Sequence, residues 1–288
     1  MPEGIYIPLN DRGVITIGGS DAVSFLQGLV SADVLACDES KAVWAAILTP
    51  QGKYLFDFFI TKVGEILWLD CEAARLMDLG RLLHKYKLRA DVQLGIAEGV
   101  HIYAIFYAEK FKVIEGCVIY DDPRLSKMGA RAILKSDSTQ PFNDVGLVLG
   151  DIDQYHKARI ENGLPDGSKD MTPEKALLLE NGFDELGGID WNKGCYVGQE
   201  LTARTKYRGL VKKRLIPVSF IGETPEMGGK ITLNGKDAGE VKSTLGRVGL
   251  ALVRLERLAA SGNENNLLRV GETKVIPNIP AWIAGINN

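Results

Sequence analysis

A lysine, a cysteine and two glycines stand close together in the run Lys193-Gly194-Cys195-Tyr196-Val197-Gly198-Gln199-Glu200, which is followed by Arg204 and by Tyr207-Arg208-Gly209. A thiol acts as a nucleophile or metal ligand in its thiolate form, and a nearby ammonium or helix N-terminus favours that form. Val197, Leu201 and the i,i+4 spacing of Glu200 and Arg204 suit a short helix with one apolar edge, closed by Gly209. On this reading Cys195 sits at the positive end of the helix with Lys193 beside it, open to a metal, an electrophile or a second thiol. From Lys193 to Arg214 the bases Lys193, Arg204, Lys206, Arg208, Lys212, Lys213 and Arg214 face one acid, Glu200. Such a segment attracts anions, either phosphate or carboxylate.

The remaining candidate ligands are scattered. Cys37, Cys71 and Cys117 lie in or beside apolar stretches, where a free cysteine behaves as a small buried hydrophobe. There is no C-x-x-C pair, and His84, His101 and His156 have neither H-x-x-x-H nor H-E-x-x-H spacing. The pattern argues against a locally built zinc site and against a disulfide framework. Nucleotide chemistry also lacks a local signature, since no G-x-G-x-x-G follows a strand and no Walker sequence occurs.

Composition narrows the class further. The chain has 288 residues, of which 25% are charged and 45% hydrophobic, which suits two or three lobes with real cores and excludes disordered or fibrous classes. A net charge of -3 gives no general pull toward nucleic acid. The longest apolar runs are strand-sized, far below the ~20 residues of a membrane-spanning helix. Met1-Pro2-Glu3-Gly4 has neither the basic region nor the apolar core of a signal peptide, so the expectation is a cytosolic protein without a membrane partner. No coiled-coil heptad is visible, and a monomer is the default.

The elements that must position these residues alternate strands and helices. Gly13-Ile17 reads as a strand, followed by a Gly18-Gly19 turn and a helix over Ala22-Val30 capped by Ser20 or Asp21. Val43-Leu48, Tyr54-Lys62 and Ile66-Asp70 form a meander, and Glu72-Leu88 is an amphipathic helix with Ala73, Leu76, Leu79, Leu83 and Tyr86 on one face. Val100-Tyr107, Val118-Tyr120 and Ala130-Leu134 are strands. Asp151 and Gln154 make a capping box for a helix to about Asn162, ended by Gly163 and Pro165. A loop at Asp166-Asp170 and a short helix after Pro173-Glu174 then lead to the cysteine motif. Beyond Gly209, closely spaced strands and the hairpin dipeptide Asn234-Gly235 predict a small antiparallel barrel. The expected domains are therefore 1-208, an α+β region of two interleaved sub-lobes, and 209-288, the barrel.

The run Lys193-Glu200 with Ala203-Arg204 and Lys206-Tyr207-Arg208-Gly209 resembles the signature of YgfZ-type folate-binding proteins. These are related to the glycine-cleavage T-protein (aminomethyltransferase) and to a mitochondrial iron-sulfur assembly factor. The resemblance extends over Asp11 to Asp33, including Phe25-Leu26-Gln27-Gly28, over Gln51-Gly52-Lys53, over Arg159-Ile160-Glu161-Asn162-Gly163-Leu164-Pro165, and over the barrel. It implies an α+β, T-protein-like ring of sub-lobes with a C-terminal antiparallel β-barrel, binding tetrahydrofolate or a one-carbon derivative. It also implies a role in assembly or repair of iron-sulfur enzymes, tRNA-modifying ones among them, with iron-sulfur client or assembly proteins as partners. By position it implies Glu161 as acceptor for the pterin N-H donors, with Tyr155 and Arg204 near the ligand. Arg12 falls where relatives often carry an aromatic, and its guanidinium plane can stack in the same way. Cys195 and Lys193, set among Gly194, Tyr196, Gly198, Gln199, Glu200 and Arg204, are the functional motif. A single cysteine supplies one of the four thiolates a cluster usually needs, so any cluster contact is shared. T-protein has an acid near the position of Cys195 and a separate catalytic aspartate with no evident counterpart here. Two other readings stay open: a tetrahydrofolate-dependent aminomethyl or one-carbon transferase, and a tRNA-binding module using the basic segment 204-214.

Overall fold

The structure, a computed structural model, describes residues 4-106, 113-262 and 266-283. The N-terminal Met1-Pro2-Glu3 and Tyr107, the last residue of an expected strand, lie outside them. The chain divides into two compact units. Unit 1 comprises Met1–Thr49, Leu55–Tyr155 and Gly187–Val197, and unit 2 comprises Pro50–Tyr54, His156–Leu186 and Gly198–Asn288. Each unit is assembled from three stretches of chain, whereas the expected boundary near 208 marks only the approach to the barrel.

Unit 1 contains two five-stranded sheets. Its strands are β1 (Ile5–Pro8), β2 (Arg12–Gly18), β3 (Val43–Leu48), β4 (Tyr54–Val63), β5 (Ile66–Glu72), β6 (Gln93–Ile96), β7 (His101–Phe106), β8 (Cys117–Asp121), β9 (Ala130–Leu134) and β10 (Val148–Leu149). One sheet has the order β3-β4-β5-β2-β6 and the other β10-β1-β7-β9-β8. Strands β3 to β5 are buried along nearly their whole length, which is why they read as largely apolar runs rather than as alternation. Helices α1 (Ala22–Gln27) and α2 (Leu76–Lys87) cover the first sheet, with Leu26, Leu79 and Leu83 buried beside Ile15, Ile17, Phe58 and Ile60. Helix α2 starts later than its periodicity suggests, because Glu72 ends β5 and Ala73–Arg75 form a 3-10 turn. A short helix, α3 (Gln140–Asp144), packs Phe142 against Tyr6 and Tyr103 of the second sheet.

Helix α4 (Ile152–Glu161) begins at the expected capping box: the Asp151 N-H donates to Gln154 Oε1 at 2.7 Å and the Asp153 N-H to Asp151 Oδ1 at 2.8 Å. The stretch Asp166-Asp170, expected as loop, holds α5 (Gly167–Asp170). The helix expected after Pro173 does not form. Glu174 takes a φ of 62°, outside helical space, and only a 3-10 turn at Leu178–Asn181 follows. Helix α6 (Gln199–Tyr207) leads into the barrel.

The barrel is closed and antiparallel, with strands β11 (Lys213–Ile221), β12 (Lys230–Leu233), β13 (Lys236–Leu245), β14 (Val248–Arg254), β15 (Leu268–Val270) and β16 (Thr273–Pro277) in the order β11-β14-β13-β12-β15-β16. Ile216, Val218, Phe220, Val241, Ala251 and Val253 fill it, and α7 (Leu255–Ala260) follows β14. Asn234 and Gly235 both have positive φ, as a two-residue hairpin turn of the expected kind requires. Among the described residues no helix is long and apolar enough to cross a membrane.

Candidate functional site

The cysteine motif lies on an irregular segment at the end of unit 1, not in the first turn of a helix. Gly198 adopts a φ of 83° as the N-cap, and α6 opens only at Gln199, so Cys195 stands ahead of the helix end that was expected to hold it. Cys195 and Gly194 are exposed, while Tyr196 is buried and Val197 packs against the core of unit 1. The Tyr196 hydroxyl has no hydrogen-bond partner among the described residues, and burial pushes its titration upward.

Lys193 is engaged elsewhere than at the thiol. Its Nζ donates to the backbone carbonyls of Gln27 at 2.8 Å, Val30 at 2.6 Å and Ala32 at 2.8 Å, and lies 5.3 Å from the centre of the Tyr196 ring. Burial lowers its pKa to about 8 against the opposing pull of Asp33 and Asp190. The other three cysteines differ from Cys195 in setting. Burial pushes Cys37 and Cys71 up to about 12 and Cys117 to about 11. Cys71 lies against the Gly13 carbonyl and Cys37 against that of Ile60.

In unit 2 the basic segment is partly committed to structure. Lys206 pairs with Asp184 at 2.8 Å, and Arg214 reaches both Glu185 and the Leu179 carbonyl at 2.7 Å. Glu200, Arg204, Arg208 and Lys212 are exposed. Gly52 of the Gln51-Gly52-Lys53 turn has a φ of 70°, and a Cβ there would lie 3.2 Å from both the Gly198 carbonyl oxygen and Leu201 Cβ. The glycine thus lets the turn approach the start of α6.

The residues expected around a pterin fall into two groups. Arg12 and Tyr155 belong to a buried ionic cluster in unit 1. Asp70 on β5 accepts from Arg12 Nε at 2.6 Å through Oδ1 and from Arg131 on β9 through Oδ2, while Arg131 also reaches the Tyr155 hydroxyl at 3.5 Å. Phe59 lies under three guanidinium groups, with Arg131 at 4.2 Å, Arg124 at 4.8 Å and Arg12 at 5.8 Å from the ring centre. Arg12 is therefore ion-paired within unit 1, and its nearest aromatic ring is the protein's own Phe59. Burial alone would raise the Asp70 carboxyl, but Arg12 and Arg131 hold it below the usual range.

Glu161 is in unit 2, exposed at the end of α4, 3.9 Å from Lys157. It borders an open depression of about 210 Å³ whose wall includes Pro217, Val218 and Val248, with Ser219 and Asn278 as polar neighbours. That volume is below the roughly 300–1,000 Å³ of a site enclosing a drug-sized ligand, so the depression can hold only an edge of one.

Sequence reasoning missed Asp57, Asp70, Arg124 and Arg131. For Asp57, Asp70 and Arg131 the signal was a charge inside an apolar strand, as in Phe56-Asp57-Phe58 and Leu69-Asp70-Cys71, where both faces are buried and the charge must find a partner, whereas Arg124 lies in the turn after β8 and carries no such signal. Asp57 accepts from Trp44 Nε1 at 2.9 Å, and Asp122 pairs with Arg124 at 2.7 Å. Among the described residues no three His, Cys, Asp or Glu side chains converge as a metal site.

Comparisons with known proteins bear on this arrangement. The C-terminal β-barrel domain family of CAF17 matches residues 212–285. The mitochondrial iron-sulfur cluster assembly factor IBA57 of Mus musculus is 32% identical, across 93% of this chain and 83% of its own length. Its homolog from Mycosarcoma maydis is 32% identical across 94% and 83%, and the Homo sapiens protein 30% identical across 87% and 77%. Among solved structures, the glycine cleavage system aminomethyltransferase T of Bartonella henselae superposes with a TM-score of 0.76 over 98% of this chain and 86% of that one, at 14% identity, which establishes a shared fold. The expected T-protein-like α+β fold with its C-terminal barrel is therefore correct. Two expectations need correction. YgfZ-type proteins are the bacterial relatives, whereas the branch matched here is IBA57. The cytosolic expectation is overturned, because these relatives are mitochondrial proteins and an unremarkable N-terminal sequence does not fix a compartment. By identity sustained over almost its full length, this chain belongs to the IBA57 family of iron-sulfur cluster assembly factors.

Proposed function

We propose that this chain is a folate-binding accessory factor for the maturation of iron-sulfur proteins, tRNA-modifying enzymes among its clients, with Cys195 as its working thiol. The observation that carries the reading is the contrast among four cysteines: Cys195 is exposed on an anchored loop, while burial holds the other three thiols protonated. One thiolate cannot complete a cluster's usual four ligands, so the cluster would be held jointly with a client or assembly protein. Family membership supports the assembly role over a one-carbon transferase, since the curated relatives are assembly factors. The tRNA-binding reading is weakened because Lys206 and Arg214 of the segment 204-214 are occupied within the fold.

For the cofactor, tetrahydrofolate or a one-carbon derivative, the support is the fold shared with aminomethyltransferase T and the exposed Glu161 carboxylate beside a depression lined by both apolar and polar residues. A carboxylate accepts hydrogen bonds from pterin N-H groups, and an apolar wall takes the ring edge. Calorimetric titration of tetrahydrofolate into wild type, Glu161→Ala and Cys195→Ala tests the assignment. Binding lost in Glu161→Ala and kept in Cys195→Ala is the expected pattern; no heat with wild type removes folate from the reading. The thiol is tested by cluster transfer to an apo client, which should fall more than tenfold in Cys195→Ser.

A further inference from the structure

Lys193 has three N-H donors, and each of the three backbone carbonyls of Gln27, Val30 and Ala32 lies within 2.8 Å of its Nζ. No donor remains for a thiolate. The carbonyls belong to the end of α1 and the turn that follows, where helix geometry leaves oxygens without intrahelical partners. The same turn is stiffened from within. The Gln27 side chain donates to Asp33 Oδ1 at 2.7 Å and accepts from the Val34 N-H at 2.8 Å, while Asp33 caps the next 3-10 turn. Ser31 makes a second strap: its hydroxyl donates to the Gly188 carbonyl at 2.6 Å and its own carbonyl accepts from the Asp190 N-H at 2.9 Å. Asp190 in turn accepts the Asn192 and Lys193 N-H groups. The two separately noted sequence features, Phe25-Leu26-Gln27-Gly28 and Lys193-Gly194-Cys195, are thus halves of one joint.

We infer that Lys193 is a positioning residue that seats the Cys195 loop on the turn after α1, rather than an ammonium that activates the thiol. The inference rests on the reading of Cys195 as the functional thiol. The charges acting on Lys193 agree with it, being those of Asp33 and Asp190, which flank the seat. A half-buried ammonium costs free energy unless hydrogen bonds offset it, and the three carbonyls do so.

The test compares wild type, Lys193→Met and Lys193→Arg. Amide hydrogen exchange is followed across residues 188-197, and the pH profile of Cys195 alkylation by iodoacetamide is read by peptide mass. A seat predicts that exchange across 188-197 becomes roughly tenfold faster in Lys193→Met while the rest of unit 1 is unchanged. It also predicts an alkylation midpoint within about 0.3 pH unit of wild type. An activator predicts the reverse, with a midpoint raised by about one unit or more and exchange unaltered, and that result overturns the inference. Lys193→Arg decides the matter if the methionine variant does not fold. Arginine keeps the charge, but its planar fork cannot meet three converging carbonyls, so the loop should loosen; wild-type exchange in Lys193→Arg would sink the seat. Undiminished cluster transfer by Cys195→Ser would instead remove the functional thiol, leaving the exchange result to stand or fall separately.

Discussion

Arg131 on β9 grips Asp70 on β5 with two nitrogens, Nη2 at 2.6 Å and Nε at 2.9 Å, joining the two sheets of unit 1 through a fully buried ion pair. Arg12 holds the other carboxylate oxygen. Asp70→Asn leaves two buried guanidinium groups without their counter-charge and should lower stability by about 3–5 kcal/mol. Urea denaturation measures it; a loss below about 1 kcal/mol would mean that water reaches the cluster.

The pH dependence follows from the same pair. Although burial opposes it, Arg12 and Arg131 hold the Asp70 carboxyl below its unfolded value. Its contribution is therefore present above about pH 4 and lost as pH falls through the lower folded value. Wild type should weaken steeply in acid, and Asp70→Asn should lack that component.

Asp170 in unit 2 carries the opposite sign. It accepts from Arg159 Nη1 at 2.8 Å and from the Ser243 hydroxyl, yet burial, with a contribution from Asp166, raises its carboxyl despite Arg159. Its contribution is complete below about pH 4 and diminishes as pH rises through the raised folded value. Asp170→Asn, which resembles the protonated form, should cost about 1 kcal/mol at neutral pH, well under the Asp70 figure. Trp282 fluorescence reports on this unit, because Trp44, Trp68 and Trp191 all lie in unit 1.

Trp282 occupies a slot made by two glycines. Its Nε1 donates to the Asn162 carbonyl at 2.8 Å, and Cβ atoms added at Gly163 and Gly182 would approach its ring to 3.1 and 2.7 Å. Gly182→Ala meets both this clash and a φ of 79°, so it should cost more than about 1 kcal/mol. In a Trp282→Ala background the steric part disappears and the cost of Gly182→Ala should shrink. Additive losses in the double-mutant cycle would show that the ring is not what the glycine accommodates.

Native protein treated with iodoacetamide at pH 7.5 should be modified first at Cys195. Cys37, Cys71 and Cys117 should follow only at strongly alkaline pH or on unfolding, because burial raises all three thiols. Thiols raised in the fold hold their protons longer than in the unfolded chain. Stability should then decline as pH climbs from about 9 toward 12, and Cys71→Ala should remove part of that decline.

The strands were readable where local pattern decides structure. Val43-Leu48 has the expected bounds because it is a short apolar run followed by turn residues. The capping box at Asp151 and the turn at Asn234-Gly235 were also legible, being set by side chains within a few positions. What failed depended on distant partners. The two-residue β10 has almost no pattern of its own and exists through pairing with β1. The helix proposed after Pro173 lost to a turn in which the Glu174 N-H donates to the Tyr54 carbonyl at 2.7 Å, a contact that no local propensity anticipates. Likewise, the motif named Cys195 and Lys193, but only the carbonyls of Gln27, Val30 and Ala32 reveal what the lysine does.

The joint between Gln27 and Lys193 spans 166 residues of chain. A nascent polypeptide emerging from the ribosome must therefore carry an unclosed α1 corner until 166 further residues have followed Gln27. Closing so long a loop is entropically slow, and the apolar strands made early stay open to chaperones or to one another in the interval. Translation speed and chaperone supply, more than the final stability of the fold, should govern how much of this protein reaches its native state in a cell.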